Sequence, residues 1–369
     1  MLWSREYHTA GGFATERSER WSNGKEEFSL AVHYGKNTDL FGLKQGTLQG
    51  FKDQVNRYRD LCRRFLGNTS NLEAVEKCAL CGSSSASAAA DVVIHGATYF
   101  RCPKCDLRYL KQRLSEAALD EFYATDKVLS ATLTNKKLTK KRVEEIVMPK
   151  ARWVLEQFER AYGRKPKKVV DVGAGGGHFV YAMKKLGIEA EGIEPNEPSV
   201  KYAQEAFGIN LVPADFLEYA KKERGADLIT FWALLEHLPD YMAFLHAAKN
   251  IFSASHRGMI IAEVPRWHSL GTIVQKTFPD SVNRHLFPLT HIRIFSDSSL
   301  ATSFLNSGFA PAGAWFFGMD MYELVLQLSR AVDNERLVSE TGKLLLGIQP
   351  IIDQGMLSDT MVFAGTLEK

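Results

Sequence analysis

The spacing of apolar residues changes character near residue 167. Upstream, they recur at helical intervals. In "TLQGFKDQVNRYRDLCRRFLG", Phe51, Val55, Tyr58, Cys62 and Phe65 share one face. In "KARWVLEQFERAY", Val154, Leu155, Phe158, Ala161 and Tyr162 do the same. "GRKPKK" then interrupts the helix, and Pro166 marks a domain edge. Downstream, short apolar runs alternate with amphipathic stretches. The pattern predicts strand "VVDVG", helix "HFVYAMKKLG", strand "AEGIE" and helix "EPSVKYAQEAFG". It continues with a short strand-like "LVPAD", strand "ADLITFW", helix "DYMAFLHAAKNIF" and strand "GMIIAEVP". "DTMVFAGTLEK" reads as a closing strand. Such alternation predicts an α/β fold, a doubly wound and mostly parallel sheet of Rossmann-like type.

The same pattern divides the chain into five parts. Residues 1–72 read as a polar, partly helical N-terminal arm without a motif. Residues 73–112 hold two cysteine pairs, and 113–165 form a helical linker. The α/β core is expected over 166–312, followed by a C-terminal extension over 313–369 with the closing strand.

Composition adds modest limits. Hydrophobic residues make up 45% and charged residues 24%, with a net charge of +3. These are values of an ordinary globular chain and select no partner. No run of eighteen apolar residues occurs, and the N-terminus lacks an apolar signal core. The expectation is a cytoplasmic protein without a membrane span. Charge is less even locally: Lys127 to Lys168 holds 13 Lys/Arg against 4 Glu. That segment is either a phosphate-facing surface or the solvated faces of linker helices.

Four of the five cysteines form two C-x2-C pairs, Cys78 and Cys81 in "CALC" and Cys102 and Cys105 in "CPKC". Twenty residues separate the pairs, which is zinc-ribbon spacing. Four thiolates close a tetrahedron, so the zinc expected there is structural. The intervening "GSSSASAAADVV" is neutral to acidic, so the ribbon reads as a scaffold or substrate-side lid and not as a nucleic-acid reader.

The glycine turn in "VVDVGAGGGHFVYAMKKLG" raises the question of a nucleotide ligand. A dinucleotide fingerprint needs glycines at 173, 175 and 178, but position 178 is His. A P-loop is excluded because no Gly-Lys-Ser/Thr follows. Glu194 ends the second strand, where a carboxylate can accept both hydroxyls of a ribose. Asp215 follows the third, placed to accept from an adenine amino group with Phe216 beside the ring plane. With these residues the chain resembles the class I S-adenosylmethionine-dependent methyltransferases, over about residues 167–312 including "DLITFWALLEHLPD". The resemblance implies S-adenosylmethionine as cofactor, held by Asp171, Gly173, Gly175, Glu194, Asp215 and Phe216. It also implies that Phe231, Trp232 and Ala233 line the methionine end through backbone atoms. His178, just after the glycines, is expected at the cofactor edge or in solvent, without a catalytic role.

The order of modules extends the resemblance. "KCALCG…YFRCPKCDLRYLKQRLSEAALDEFYA" ahead of a methyltransferase core resembles a bacterial group with an N-terminal zinc-binding module, many of whose members serve glycan, surface-polysaccharide or deoxysugar pathways. "WFFGMDMYEL" and "LSDTMVFAGTLEK" are similar to that group's C-terminal region.

Histidines offer candidate bases in two places. "LLEHLPD" holds Glu236 and His237. In ubiquinone-pathway O-methyltransferases a similar stretch reads E-x-x-E-H and binds a divalent metal. Here the first acid falls at Ala233, so no magnesium requirement is expected. "NRHLFPLTHIRIFSDSSL" resembles the Y-H-E-H-x-x-Y-F-S stretch of zinc-module sugar C-methyltransferases. Aligned on Phe295 and Ser296, the four polar positions become Pro288, Leu289, Thr290 and His291. One survives, which favours O- over C-methylation. His291 is preferred as base, then His237, then His285. The expected activity is O-methylation of a sugar or glycan hydroxyl, or of a related small molecule. Alternatives are a sugar C-methyltransferase, an RNA methyltransferase using the ribbon and the basic segment, and a non-catalytic zinc scaffold.

Overall fold

The computed structural model describes residues 2–5, 15–36, 51–125, 139–252, 258–334 and 336–367. Among these, the largest sheet has nine strands. They are β1 (Ser4–Arg5), β2 (Glu16–Ser22), β3 (Glu27–Tyr34), β9 (Lys168–Val172), β10 (Glu189–Ile193), β11 (Leu228–Trp232), β12 (Met259–Pro265), β14 (Phe309–Phe317) and β15 (Thr360–Leu367). Their order across the sheet is β1-β2-β3-β14-β15-β12-β11-β9-β10. β10, β9, β11 and β12 run parallel, and β15 is antiparallel to both β12 and β14.

The helices among the described residues include α1 (Phe51–Leu66), α2 (Glu116–Thr125), α3 (Met148–Tyr162), α4 (His178–Lys185), α5 (Glu197–Phe207), α6 (Phe216–Lys222), α7 (Tyr241–Ile251), α8 (Leu270–Thr277), α9 (Asp297–Asn306), α10 (Asp320–Ala331), α11 (Arg336–Leu346) and α12 (Gln349–Gln354). The central strands are apolar on both faces because helices cover both. Val169, Leu228, Ile261 and Val362 pack with Val154 and Phe158 of α3 and Met183 of α4. Their neighbours Val170, Ile229, Ala262 and Phe363 pack with Leu245 of α7 and Phe304 of α9. Adjacent residues of one strand thus feed two cores, which is the physical content of a doubly wound sheet. On α3 the expected apolar face holds except at Ala161, which is exposed.

The N-terminal region departs from the expected loose arm. Leu30, Val32 and Tyr34 alternate inward along β3, which pairs in parallel with β14. Trp21 of β2 is fully buried, edge-on to Phe363 at 5.5 Å. Burying such a ring contributes roughly 2–3 kcal/mol, enough to fix a short strand at a sheet edge. The period-two signal spans only a few residues and is easily passed over. The expected strand "LVPAD" is reduced to one bridge between Ile193 and Val212. Pro213 follows, and proline has no N–H to continue a ladder. The boundary expected at 312 falls inside β14.

The cysteine pairs sit in a smaller sheet. Its strands are β5 (Ala89–Ile94), β6 (Ala97–Arg101), β7 (Arg108–Leu110) and β13 (Arg293–Ile294), in the order β13-β7-β6-β5. β4 (Leu72–Ala74) and β8 (Gln112–Leu114) pair separately. β13 belongs to the segment that carries His285 and His291, so the cysteine module is hydrogen-bonded directly into the core. No helix among the described residues is long and apolar enough to cross a membrane.

Candidate active site

The glycine turn follows β9. Gly173, Gly175 and Gly177 have φ of 66°, 51° and 74°, a region that favours glycine. A Cβ at Gly173 would also come within 3.0 Å of Leu234. Glu194, buried at the end of β10, braces this turn. One carboxylate oxygen accepts from the Gly175 amide at 2.7 Å, and the other from the Asn196 amide at 2.9 Å. Each oxygen keeps a second lone pair, so a ribose diol can still be received. Burial raises this carboxyl above its ordinary range, opposed by the two amides. Asp171 lies beneath the turn and accepts from the Thr230 hydroxyl at 2.7 Å. Burial pushes its carboxyl up to about 7, with the Thr230 hydrogen bond opposing and Glu194 adding to the rise. The turn and its brace fit an adenosyl cofactor. Asp171 ties β9 to β11 just ahead of the turn.

The other expected cofactor residues are distributed unevenly. Asp215 is exposed and caps α6, accepting from the Glu218 amide at 3.1 Å with one oxygen. The expected placement of the Phe216 ring beside a ligand is corrected. That ring is buried against Phe231 and Phe244 at 5.9 and 5.2 Å. Phe231 is fully buried as well and can offer only backbone. Trp232 is half-buried and its indole N–H has no partner. Ala233 has φ of 48°, a strained value for a residue with a Cβ, and its amide donates to the Glu263 carbonyl at 3.0 Å. His178 does not face solvent: it is buried between Tyr202 and Phe207, with its ring beside Gly176 of the glycine turn.

A cavity of about 830 Å³ opens beside Glu263 of β12. Its walls include Lys36, Lys150, Trp153, Glu263, Arg284 and His285. Lys150 lies 2.7 Å from Glu263 and 4.7 Å over the Trp232 ring. Burial, with Lys150 adding repulsion, pushes the Lys36 ammonium down to about 7. Sequence reasoning missed Lys36, Lys150 and Glu263. Glu263 carried a signal, a carboxylate inside the apolar run "GMIIAEVP"; Lys36 had none.

The candidate bases converge. His237 and His291 lie edge to face with ring centroids 4.6 Å apart, and His285 is 6.4 Å from His291. His237 Nδ1 is 3.0 Å from the Thr290 carbonyl, and His291 Nδ1 is 2.8 Å from the His285 carbonyl. A carbonyl only accepts, so each Nδ1 carries the proton and each Nε2 an open lone pair. Burial pushes the His237 imidazole down to about 4, against the Thr290 hydrogen bond. Burial also lowers His291, with His237 and His285 adding to it.

Cys78, Cys81, Cys102 and Cys105 also converge. Their sulfurs all lie within 4.8 Å of one another, with Cys78–Cys105 and Cys81–Cys102 at 3.5 Å. Zinc–sulfur bonds of about 2.3 Å in a tetrahedron place sulfurs roughly 3.8 Å apart, so the set fits zinc. Each pair ends in the same turn: Gly82 and Asp106, with φ of 68° and 62°, donate back to the carbonyls of Cys78 and Cys102. Cys62 is buried elsewhere, in the cluster around α1 and α2.

Residues 127–138 of the basic segment lie outside the described residues. Beyond them, Arg160 pairs with Glu16 and Glu156, Arg164 with Asp227, and Lys168 with Glu191. These cations are spent on the protein itself.

Residues 145–312, a little under half of the chain, match a family model described as a methyltransferase domain. Over 99 residues the chain is 34% identical to a ubiquinone biosynthesis O-methyltransferase of Escherichia fergusonii, covering 25% of this chain and 41% of that protein. A protein of the same description from Actinobacillus pleuropneumoniae is 32% identical over 103 residues, covering 25% and 44%. The chain thus spans about two-fifths of the length of these curated relatives. Among solved structures, a SAM-dependent methyltransferase of Archaeoglobus fulgidus aligns with 58% of this chain and 94% of its own, at 20% identity and a TM-score of 0.38. With the strand order above, the matched segment is a class I methyltransferase domain of Rossmann-like α/β fold.

Proposed function

We propose that this chain transfers the methyl group of S-adenosylmethionine to a hydroxyl of a sugar or glycan-type small molecule. The observation that carries the reading is the glycine turn braced by Glu194, and a cavity with a mixed polar and aromatic lining around Lys150 and Glu263 supports it. When bound, S-adenosylmethionine supplies a methyl group already activated on a sulfonium sulfur. The chain's own task is then to position the acceptor, exclude water and take up one proton. Glu194 and Asp215 are assigned to the ribose and adenine of the cofactor, and the backbone around Ala233 to its methionine end. Lys36, Lys150 and Glu263 supply hydrogen bonds for a polyhydroxylated acceptor, while Trp153 and Trp315 supply ring faces. His237 and His291 are assigned the acceptor's proton, through an Nε2 lone pair. The pairing of Arg160, Arg164 and Lys168 with protein carboxylates favours this reading over an RNA acceptor.

Calorimetric titration with S-adenosylmethionine tests the cofactor assignment. The wild-type chain is expected to bind it at one site, and Gly175→Val, which adds a branched side chain at a φ of 51°, to lose that binding. Unchanged binding by the variant would contradict the assigned site.

A further inference from the structure

We propose that Lys36 receives a carboxylate of the acceptor, so that the hydroxyl to be methylated belongs to an acidic sugar or hydroxy acid and not to a neutral one. This deepens the proposed function and rests on it. Lys36 follows β3, at the end of an N-terminal hairpin that lies outside the segment matched by the family model. β3 is parallel to β14, and β14 and β12 are both antiparallel to β15. β3 therefore runs in the same direction as the core strands, and its carboxyl end falls on the edge where such sheets bind ligands.

The backbone ahead of the lysine is fixed. Gly35 turns the chain with a φ of 83°. Its amide donates to the Phe316 carbonyl at 2.8 Å, and its own carbonyl accepts from the Trp315 indole at 2.8 Å. The Lys36 side chain then joins the cavity wall, its ammonium 4.9 Å over the Phe317 ring. Glu263 and His285 share that wall and connect it to the site. The Glu263 carbonyl accepts from the Ala233 amide at 3.0 Å, and the His285 ring is stacked 6.4 Å from that of His291.

The charge of Lys36 is left unanswered by the protein. Of the other cations in the wall, Lys150 is paired with Glu263 at 2.6 Å, Arg284 with Asp359 at 2.9 Å, and Arg152 is exposed. Lys36 is half-buried, and among the described residues it meets the Phe317 ring but no carboxylate within ion-pair distance. A desolvated ammonium without an acid is costly, and an incoming anion removes that cost. Burial pushes this ammonium down to about 7, with repulsion from Lys150 and Arg142 adding to the fall and Glu263 opposing it. A bound carboxylate reverses the fall, since an opposite charge favours the protonated form.

The donor set selects the anion. One ammonium matches one negative charge, which a carboxylate carries. A phosphate ester carries up to two and is best met by a guanidinium fork, and here the Arg284 guanidinium is taken by Asp359. The rings of Trp153 and Trp315, 5.7 Å apart, line the same wall and offer apolar faces to the body of the acceptor. In a pocket of that kind a single charged group sets orientation and selectivity. Lys36 is thus a specificity residue, and proton removal stays with His237 and His291.

Trace acetylation of the full chain near neutral pH, read lysine by lysine by mass spectrometry, tests this without turnover. D-glucuronate in large excess is expected to slow acetylation of Lys36 several-fold. D-glucose, inorganic phosphate and S-adenosylmethionine, at matched concentration and ionic strength, are expected to leave it unchanged. In methyl transfer to the acidic small molecules of the source cell, Lys36→Met is expected to raise KM at least about tenfold with little change in kcat, the loss of one charge-assisted hydrogen bond. The variant should keep its affinity for S-adenosylmethionine and its melting temperature, because it removes a desolvated charge. Equal protection by glucose, protection by phosphate or S-adenosylmethionine in place of glucuronate, or an unchanged KM in the variant would overturn the proposal. No protection by glucuronate would also overturn it and leave methyl transfer to a neutral acceptor standing, whereas absence of methyl transfer would leave the protection result standing.

Discussion

The Tyr99 hydroxyl donates to the backbone carbonyl of His291 at 2.7 Å. Tyr99 is in β6 of the cysteine module, and His291 is in the loop beside the cavity. The contact joins the module to the site across 192 positions of sequence. Tyr99→Phe removes one hydroxyl and leaves a partly buried carbonyl without its donor. A stability loss of about 1–2 kcal/mol is expected in urea unfolding. Methyl-transfer rate should fall more than cofactor affinity does, because the glycine turn is not touched. Equal loss of both would contradict a role in placing His291.

The cysteine module is expected to hold one zinc ion on Cys78, Cys81, Cys102 and Cys105. A thiol-reactive dye should leave these four unlabelled in the native chain and label them once a strong chelator has removed the metal. Because β7 pairs with β13, chelation is also expected to lower the melting temperature and the methyl-transfer rate together. Four thiols that react at once in a metal-free native protein would contradict the zinc assignment.

Glu194→Gln tests the brace under the glycine turn. The amide keeps an acceptor oxygen for one of the two backbone donors, Gly175 or Asn196, but loses the charge and the second acceptor. Affinity for S-adenosylmethionine is expected to fall by at least about tenfold, the equivalent of one charge-assisted hydrogen bond. Calorimetry at constant pH reads this directly, with the melting temperature as a control for folding.

Asp297 is the acid of a buried ion-pair network. It accepts from Arg266 at 2.8 Å and from Arg5 at 3.1 Å. Burial alone would raise this carboxyl, but Arg266 and then Arg5 pull it well below the ordinary carboxylate range. Its folded-state value is depressed, so its contribution is complete above about pH 4 and fades as pH falls further. Asp297→Asn leaves both guanidinium groups without that charge and should cost about 3–5 kcal/mol near pH 7. Urea unfolding should show the gap between wild type and variant narrowing below about pH 4.

The parts of this molecule set by local chemistry were readable in the sequence. The glycine turn, Glu194 and the cysteine pairs each depend on short spacing, and the fold places them as that spacing implies. Phe216 was misplaced because sequence position does not say which way a ring turns, and here the core takes it. Strands β2 and β3 were missed because their alternation is brief and β14, the strand through which β3 joins the main sheet, lies a little over 280 residues away. The cavity was unreadable for the same reason: Lys36, Lys150 and Glu263 meet only after three separate segments have folded. Sequence spacing also did not show that His237 and His291 lie with ring centroids 4.6 Å apart.

The most direct measurement of the central claim uses S-adenosylmethionine labelled in its methyl group. The full chain is incubated with separate small-molecule, glycan, RNA and protein fractions of its source cell, and each fraction is counted. The account predicts label in the small-molecule or glycan fraction, in a linkage that survives mild alkali as an ether does and an ester does not. Label confined to RNA or protein, or a methyl group lost to mild alkali, would contradict it.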